Sequence, residues 1–126
     1  SSSAAVDEAR AGAATIRAPT GRSTAPWFRL PFGARDDRTL GLVNEECYVA
    51  VRWTVDSLGW KGTSGGMTSA TVRDRVLAAA RPGMIVLMHV GANPDDGTTL
   101  DADALPSVIA GLRAKGYSFV SLPQSL

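Results

Sequence analysis

Residues 81–90 read RPGMIVLMHV, and this stretch indicates the fold of the chain. Pro82 and Gly83 mark a turn, after which residues 84–88 form an apolar run that predicts a fully buried strand. Such a strand is typical of a parallel sheet covered by helices, where chemistry gathers beyond the carboxyl ends of the strands. His89, the only histidine of the chain, lies at that end.

The position of His89 leaves two interpretations open. Imidazole titrates near neutral pH, so a histidine at a strand end is a natural proton donor or acceptor in catalysis. A core histidine whose ring is satisfied by a backbone carbonyl is the alternative. The position by itself favours neither interpretation.

Composition excludes several classes of protein. The 126 residues fit one domain, and a hydrophobic content of 44% is enough for a core. A formal net charge of +1 gives no polyanion-binding surface, which argues against a nucleic-acid partner. No apolar run is long enough for a membrane span, and no signal-peptide pattern opens the chain. One histidine and one cysteine cannot form a closed zinc site, and Cys47 is expected to be a small core residue.

Helices and strands are predicted to alternate along the whole chain. Helical spacing and capping residues predict four helices, and apolar or β-branched runs predict four strands. The predicted helices are residues 4–17, a segment capped by Asp36 or Asp37, a segment capped by Thr68 or Ser69, and residues 104–115 with Leu105, Val108, Ile109 and Leu112 inward. The predicted strands are residues 27–30, 48–55, 84–88 and 117–122. This alternation is the pattern of parallel β/α units and predicts an α/β fold.

Two loops with suggestive composition lack the motifs of ligand-binding loops. Residues 57–67 are glycine-rich but lack the lysine-serine ending of a phosphate-binding loop. Asp95 and Asp96 lie in a tight-turn sequence, residues 93–97, without the ligand spacing of a calcium loop. Nucleotide and metal binding are therefore not predicted at these loops.

Three polar side chains are expected at the ends of the predicted strands. Arg29 belongs to the first, Asp56 follows the second, and His89 follows the third. In one parallel sheet these side chains would share a rim and could form an acid/base site. Ordinary surface ion pairs are the alternative.

The sequences around these residues resemble three motifs of a known family, in order. They are FRLPFG at residues 28–33, WTVDSLGW at residues 53–60 and LMH at residues 87–89. They resemble the last three motifs of the polysaccharide deacetylases, the NodB-homology family of metal-dependent carbohydrate esterases. The resemblance implies a partial distorted (β/α) barrel, with residues 1–126 as the carboxyl-terminal part of a single NodB-like domain whose upstream metal-binding half is absent.

The resemblance implies catalytic roles for three residues. His89 would be the general acid that protonates the departing sugar nitrogen or oxygen. Arg29 would pair with an aspartate base and keep that base ionised. Asp56 is the nearest carboxylate that could support His89, because Gly59 stands where many members of the family have an aspartate for that purpose.

Substrate contacts follow from the same resemblance. The backbone N–H of Phe32 would donate to the developing oxyanion. Leu87 and Trp60 would line an apolar pocket for the acetyl methyl, and Trp27 is a candidate for stacking on a sugar. Trp60 as a loop aromatic and Leu87 as a core residue are the alternatives.

The part of the family's site that binds metal has no counterpart in this sequence. The family opens with an aspartate pair and an HxxxH-like segment, which supply the base and the metal ligands. The resemblance therefore implies a divalent metal, usually zinc, with its ligands in the upstream half and none in this chain. Isolated, the chain is expected to be inactive.

The function implied by the resemblance is hydrolysis of N- or O-acetyl groups on an acetylated polysaccharide or oligosaccharide, outside the cell or in the cell envelope. A non-catalytic fragment or glycan-binding module that pairs with a separate metal-carrying half is the alternative. Exposed strand edges would favour association with that half or a homo-oligomer. An unrelated α/β fold, such as a flavodoxin-like domain, would leave the three motifs unexplained.

Overall fold

The computed structural model describes residues 2–122, which form two compact units. The first unit contains residues 2–52 and Leu122, and the second is Trp53–Ser121. Within these bounds the chain has four α-helices and four two-residue strands, and both strand pairs are parallel, as the predicted α/β class requires. The strands form two separate two-stranded sheets rather than the single sheet expected. No helix in this part of the chain combines the length and apolar character needed to cross a bilayer.

The first unit contains two helices and one strand pair. Its elements are α1 (Ser2–Thr20), β1 (Trp27–Phe28), α2 (Asp37–Glu45) and β2 (Val49–Ala50). Trp27 of β1 lies opposite Val49 of β2. Asp36, one of the two predicted capping residues, caps α2, because its carboxylate accepts the Thr39 N–H at 2.6 Å and satisfies one of the free amides of the first turn.

The second unit is built on two packed helices and carries the other strand pair. Its elements are β3 (Val55–Asp56), α3 (Ser69–Ala78), β4 (Val86–Leu87) and α4 (Leu100–Ala114). Thr68 begins α3, as predicted. The buried core between the helices is formed by Val72, Val76, Leu100, Ala104, Val108 and Leu112.

Helix α4 starts four residues earlier than predicted, and this changes which face is buried. From Leu100 the inward stripe follows every fourth residue, through Ala104 and Val108 to Leu112. Leu105 lies off this stripe and is 42% exposed, so its predicted inward orientation is wrong.

The predicted strands are longer than the observed ones. The predicted strand at residues 48–55 is divided into β2 and β3, which pair with different partners. Residues 117–122 form no strand, so the predicted closing strand is wrong. A strand is held by backbone bonds to a neighbour, and no described strand pairs with these residues.

Two burial predictions are also wrong. Residues 84–88 are half-buried rather than fully buried, because β4 has a neighbouring strand on one side only. Cys47 is exposed rather than in the core. It occupies the turn after α2 with a left-handed backbone (φ 62°), which directs the chain into β2.

Candidate active site

The β3–β4 pair places Asp56 and His89 side by side. Asp56 ends β3, and His89 lies two residues beyond β4. Because Val55 is in register with Val86, the two strands end at the same level. Nε2 of His89 is 3.0 Å from Oδ1 of Asp56, and both side chains are partly exposed. Two of the three predicted rim residues therefore meet within the second unit.

Asp56 is fixed through its side chain and its main chain. Its Oδ1 accepts the N–H of Leu58 at 2.9 Å, in a tight turn where Leu58 adopts a left-handed conformation (φ 62°). Its carbonyl oxygen accepts a bond from Nε of Arg75 on α3, at 2.7 Å. The carboxylate that meets His89 is thus held by the local turn and by a neighbouring helix.

Asp101, which the sequence analysis did not single out, binds the main chain of His89. Its Oδ2 accepts the His89 N–H at 2.6 Å, and the residue is only 5% exposed. Its Oδ1 is buried and, among the described residues, has no hydrogen-bond partner. An acidic residue in the first turn of a helix is ordinary, so the sequence carries no signal that distinguishes this one.

Trp60 and His89 share a small cavity in the second unit. The indole and imidazole ring centres are 6.4 Å apart, and the rings are tilted by 59°. Both residues line a cavity of about 260 Å³, to which Asn93 and Asp101 also contribute. Nδ2 of Asn93 donates to the Trp60 carbonyl at 2.8 Å, which anchors the backbone of the aromatic residue. Leu87, predicted beside Trp60, is not among the residues that line this cavity.

The Asp96 carboxylate stabilises the turn that follows His89 through several hydrogen bonds. The Asp96 carboxylate accepts the Ser64 N–H at 2.6 Å and the Thr98 hydroxyl at 2.6 Å. These bonds, that from Ser64 first, hold the pKa of Asp96 well below its usual range. The aspartate-rich sequence thus ties the loop after Trp60 to the turn beyond His89.

The remaining predicted site residues lie in the first unit. Trp27, Arg29 and Phe32 line a cavity of about 860 Å³ there. Phe32 lies in a short 3-10 turn, Pro31–Gly33, with a left-handed backbone (φ 56°) and a fully exposed ring. The structure therefore brings these three residues to one cavity of the first unit.

The described residues do not form a metal centre by themselves. Across residues 2–122, no three side chains of His, Cys, Asp or Glu are grouped so that they could hold a metal ion. The nearest arrangement is the pair of His89 and Asp56, in which Nε2 is already directed at the carboxylate. Among the described residues, this pair alone does not fit a divalent metal, which needs further ligands.

Comparison with known proteins finds several relatives, although no family model matches the chain. The chain is 35% identical over 100 residues to a peptidoglycan-N-acetylglucosamine deacetylase of Bacillus cereus, covering 79% of this chain and 34% of that protein. It is 32% identical over 111 residues to a chitooligosaccharide deacetylase of Azorhizobium caulinodans, covering 82% and 51%. A CE4 family pseudoenzyme from Bacillus anthracis matches it structurally, with a TM-score of 0.78 and 28% identity, over 93% of this chain and 37% of that one.

These likenesses identify the class of protein: the chain belongs to the polysaccharide deacetylase family, CE4. It spans 34% and 51% of the length of the two curated relatives.

Proposed function

We propose that the chain is the carboxyl-terminal part of a polysaccharide deacetylase, which removes N- or O-acetyl groups from a glycan such as chitooligosaccharide, peptidoglycan or xylan. The observation that carries the proposal is the pair of Asp56 and His89 beside Trp60 and a small cavity. The relatives named for deacetylation of peptidoglycan and chitooligosaccharide support the substrate class. We infer from such substrates a location in the cell envelope or outside the cell.

His89 is the general acid of this proposal. An ionised Asp56 can only accept a hydrogen bond, so Nε2 of His89 carries the hydrogen and Nδ1 is the nitrogen that remains for proton transfer. Hydrolysis adds water across the acetyl C–N or C–O bond and releases acetate. The departing sugar nitrogen or oxygen needs a proton, and the His89 imidazolium supplies it from Nδ1.

Two apolar residues of the second unit are proposed to receive the acetyl group. Trp60 provides the apolar wall of the cavity beside His89. Leu87, at the end of β4, is the second proposed contact for the acetyl methyl.

Three residues of the first unit have proposed roles that rest on the resemblance. Arg29 is exposed, and its permanently charged guanidinium suits it to hold an aspartate base ionised. The backbone N–H of Phe32 is proposed to donate to the oxyanion. Trp27 is proposed to stack on a sugar ring.

The base and the divalent metal are proposed to come from another part of the deacetylase, upstream in the chain or on a partner. Zinc is the metal that the resemblance implies. Because the described residues include no group that could hold it, we derive no step through the metal from this chain.

A non-catalytic module that binds glycan or pairs with a metal-carrying half is the second candidate. Gly59 favours it, because an aspartate of the family's motif is absent there. The likeness to a CE4 family pseudoenzyme also favours it.

The two candidates are separated by measuring metal content and acetate release from chitooligosaccharide and acetylxylan. The assay uses this chain and a form extended upstream. We expect the short chain to be inert and the extended form to bind zinc and release acetate. His89→Ala should lower the rate of the extended form about 10²- to 10⁴-fold, the usual contribution of a general acid. Arg73→Gln, on the outer surface of α3, is the control and should keep full activity.

Two results would contradict the deacetylase proposal as stated, and acetate release by the short chain alone would instead contradict the proposed upstream or partner location of the base and metal. The two results are full activity of His89→Ala, and an extended form that binds glycan but releases no acetate. The last result would establish the non-catalytic module instead.

A further inference from the structure

We propose that Asp101 is a positioning residue for His89 and occupies, from a different element of the fold, the place of the carboxylate that the resemblance implies at position 59. The catalytic part of this inference rests on the proposed deacetylase function. The structural part rests on contacts within the second unit alone.

The first argument is steric. An ideal Cβ built on Gly59 would lie 2.5 Å from Cγ and 2.9 Å from Oδ2 of Asp101. Ordinary contacts of a Cβ begin near 3.4 Å. The Asp101 carboxylate therefore occupies the space that a side chain at position 59 would need. A side chain at position 59 therefore requires the Asp101 carboxylate to leave the place where it binds His89.

The second argument is the bond that Asp101 makes. Its Oδ2 accepts the His89 N–H at 2.6 Å, the short distance typical of a bond to a charged acceptor. Asp101 lies in the first turn of α4, where the free N–H groups of the helix favour a negative charge. The carboxylate is thus well suited to hold the main chain of His89 in place.

The third argument is the oxygen that has no partner. Oδ1 of Asp101 is buried without a hydrogen bond among the described residues. A buried acceptor without a partner is destabilising, so its presence in a folded unit needs an explanation. A smaller neutral residue would avoid this cost, so a carboxylate here indicates a use for its charge beside His89.

Together the two aspartates hold His89 from two sides. Asp56, at the end of β3, binds the ring through Nε2, and Asp101, on α4, binds the main chain. Gly91, two residues after His89, has a positive φ of 106°. The backbone therefore changes direction just after the segment that the two aspartates bind. Loss of Asp101 should leave His89 with one restraint instead of two.

The first experiment uses nitrogen-15 NMR on this chain. His89 is the only histidine, so its ring signals are assigned without ambiguity. We expect Asp101→Ala to move the His89 amide proton strongly upfield and to change the ring nitrogen signals. Asp103→Ala, in the same helical turn but exposed, is the matched control and should leave both sets of signals in place. Unchanged His89 signals in folded Asp101→Ala would overturn the inference.

The second experiment moves the carboxylate from position 101 to position 59 and measures acetate release by the form extended upstream. Asp101→Ala should lower the rate about 10- to 100-fold, as expected for loss of a supporting partner. Gly59→Asp alone should be poorly folded, because two side chains would occupy one space. The double variant Gly59→Asp/Asp101→Ala should fold and exceed Asp101→Ala at least tenfold. A double variant no better than Asp101→Ala would refute the replacement.

The outcomes separate this inference from the proposed function. If Asp101→Ala fails to fold, Asp101→Asn keeps the shape and removes the charge, and it should still show the amide shift and the loss of rate. If the wild-type extended form releases no acetate, the proposed function fails and the NMR experiment decides the positioning role. If the enzyme is active and Asp101→Asn keeps full rate and unchanged signals, only the inference about Asp101 is wrong.

Discussion

Val76 allows a test of whether the second unit has its own core beneath the site. Its side chain is fully buried between α3 and α4. Val76→Ala removes two buried carbon groups, each of which contributes about 0.8 kcal/mol of hydrophobic free energy. It also leaves a cavity that the surrounding helices fill only in part. We expect the free energy of unfolding to fall by about 2–3 kcal/mol. In a unit of this size that change lowers the melting temperature by about 8–24 °C.

The assay is urea unfolding of the whole chain, followed by circular dichroism and tryptophan fluorescence. Val120→Ala is the matched control, because Val120 is 90% exposed and the same atoms are removed into solvent. Its unfolding free energy should stay within about 0.5 kcal/mol of wild type. A Val76→Ala loss no larger than that of Val120→Ala would show that the α3–α4 packing is not the core of this unit.

Two further predictions concern the parts that hold the site. Arg75→Gln removes the hydrogen bond to the Asp56 carbonyl and should lower the free energy of unfolding by about 1 kcal/mol in the same urea titration. Arg73→Gln is the control, because it breaks an exposed contact with the adjacent Asp74 and should leave that free energy nearly unchanged. The hydrogen bonds to Asp96 lower its pKa below that of the unfolded chain, so its stabilising contribution is present above about pH 4 and is lost as the pH falls further. Asp96→Asn should therefore lower the urea midpoint at pH 7 and differ less from wild type at pH 3; an equal deficit at both pH values would contradict this assignment.

The helices could be predicted from the sequence because their signals are local. Asp36 and Thr68 cap α2 and α3 as predicted, since a capping side chain needs only the amide three residues ahead. The strands were less predictable because a strand exists only where a neighbour pairs with it. The run at residues 117–122 has the composition of a strand, yet no described strand pairs with it.

The candidate site was predictable only in part, for the same reason. Asp56 and His89 follow strands, and parallel pairing of β3 with β4 brings them together. Asp101 could not be identified, because its contact with His89 depends on how α4 docks and on the space left by Gly59. A glycine in the motif is visible in the sequence, but the side chain that takes the vacated space is not.

The contacts that orient His89 all lie within one unit of the chain. Asp56, His89 and Asp101 all belong to the second unit, whose core is formed by α3 and α4. The bonds that orient His89 therefore come from the same folded unit as the histidine itself. Under the proposed function, His89 is then oriented before substrate binds, which is the condition for preorganised catalysis. We therefore expect the His89 signals of the chain alone to be those of the oriented imidazole, and we expect them to stay unchanged in the form extended upstream.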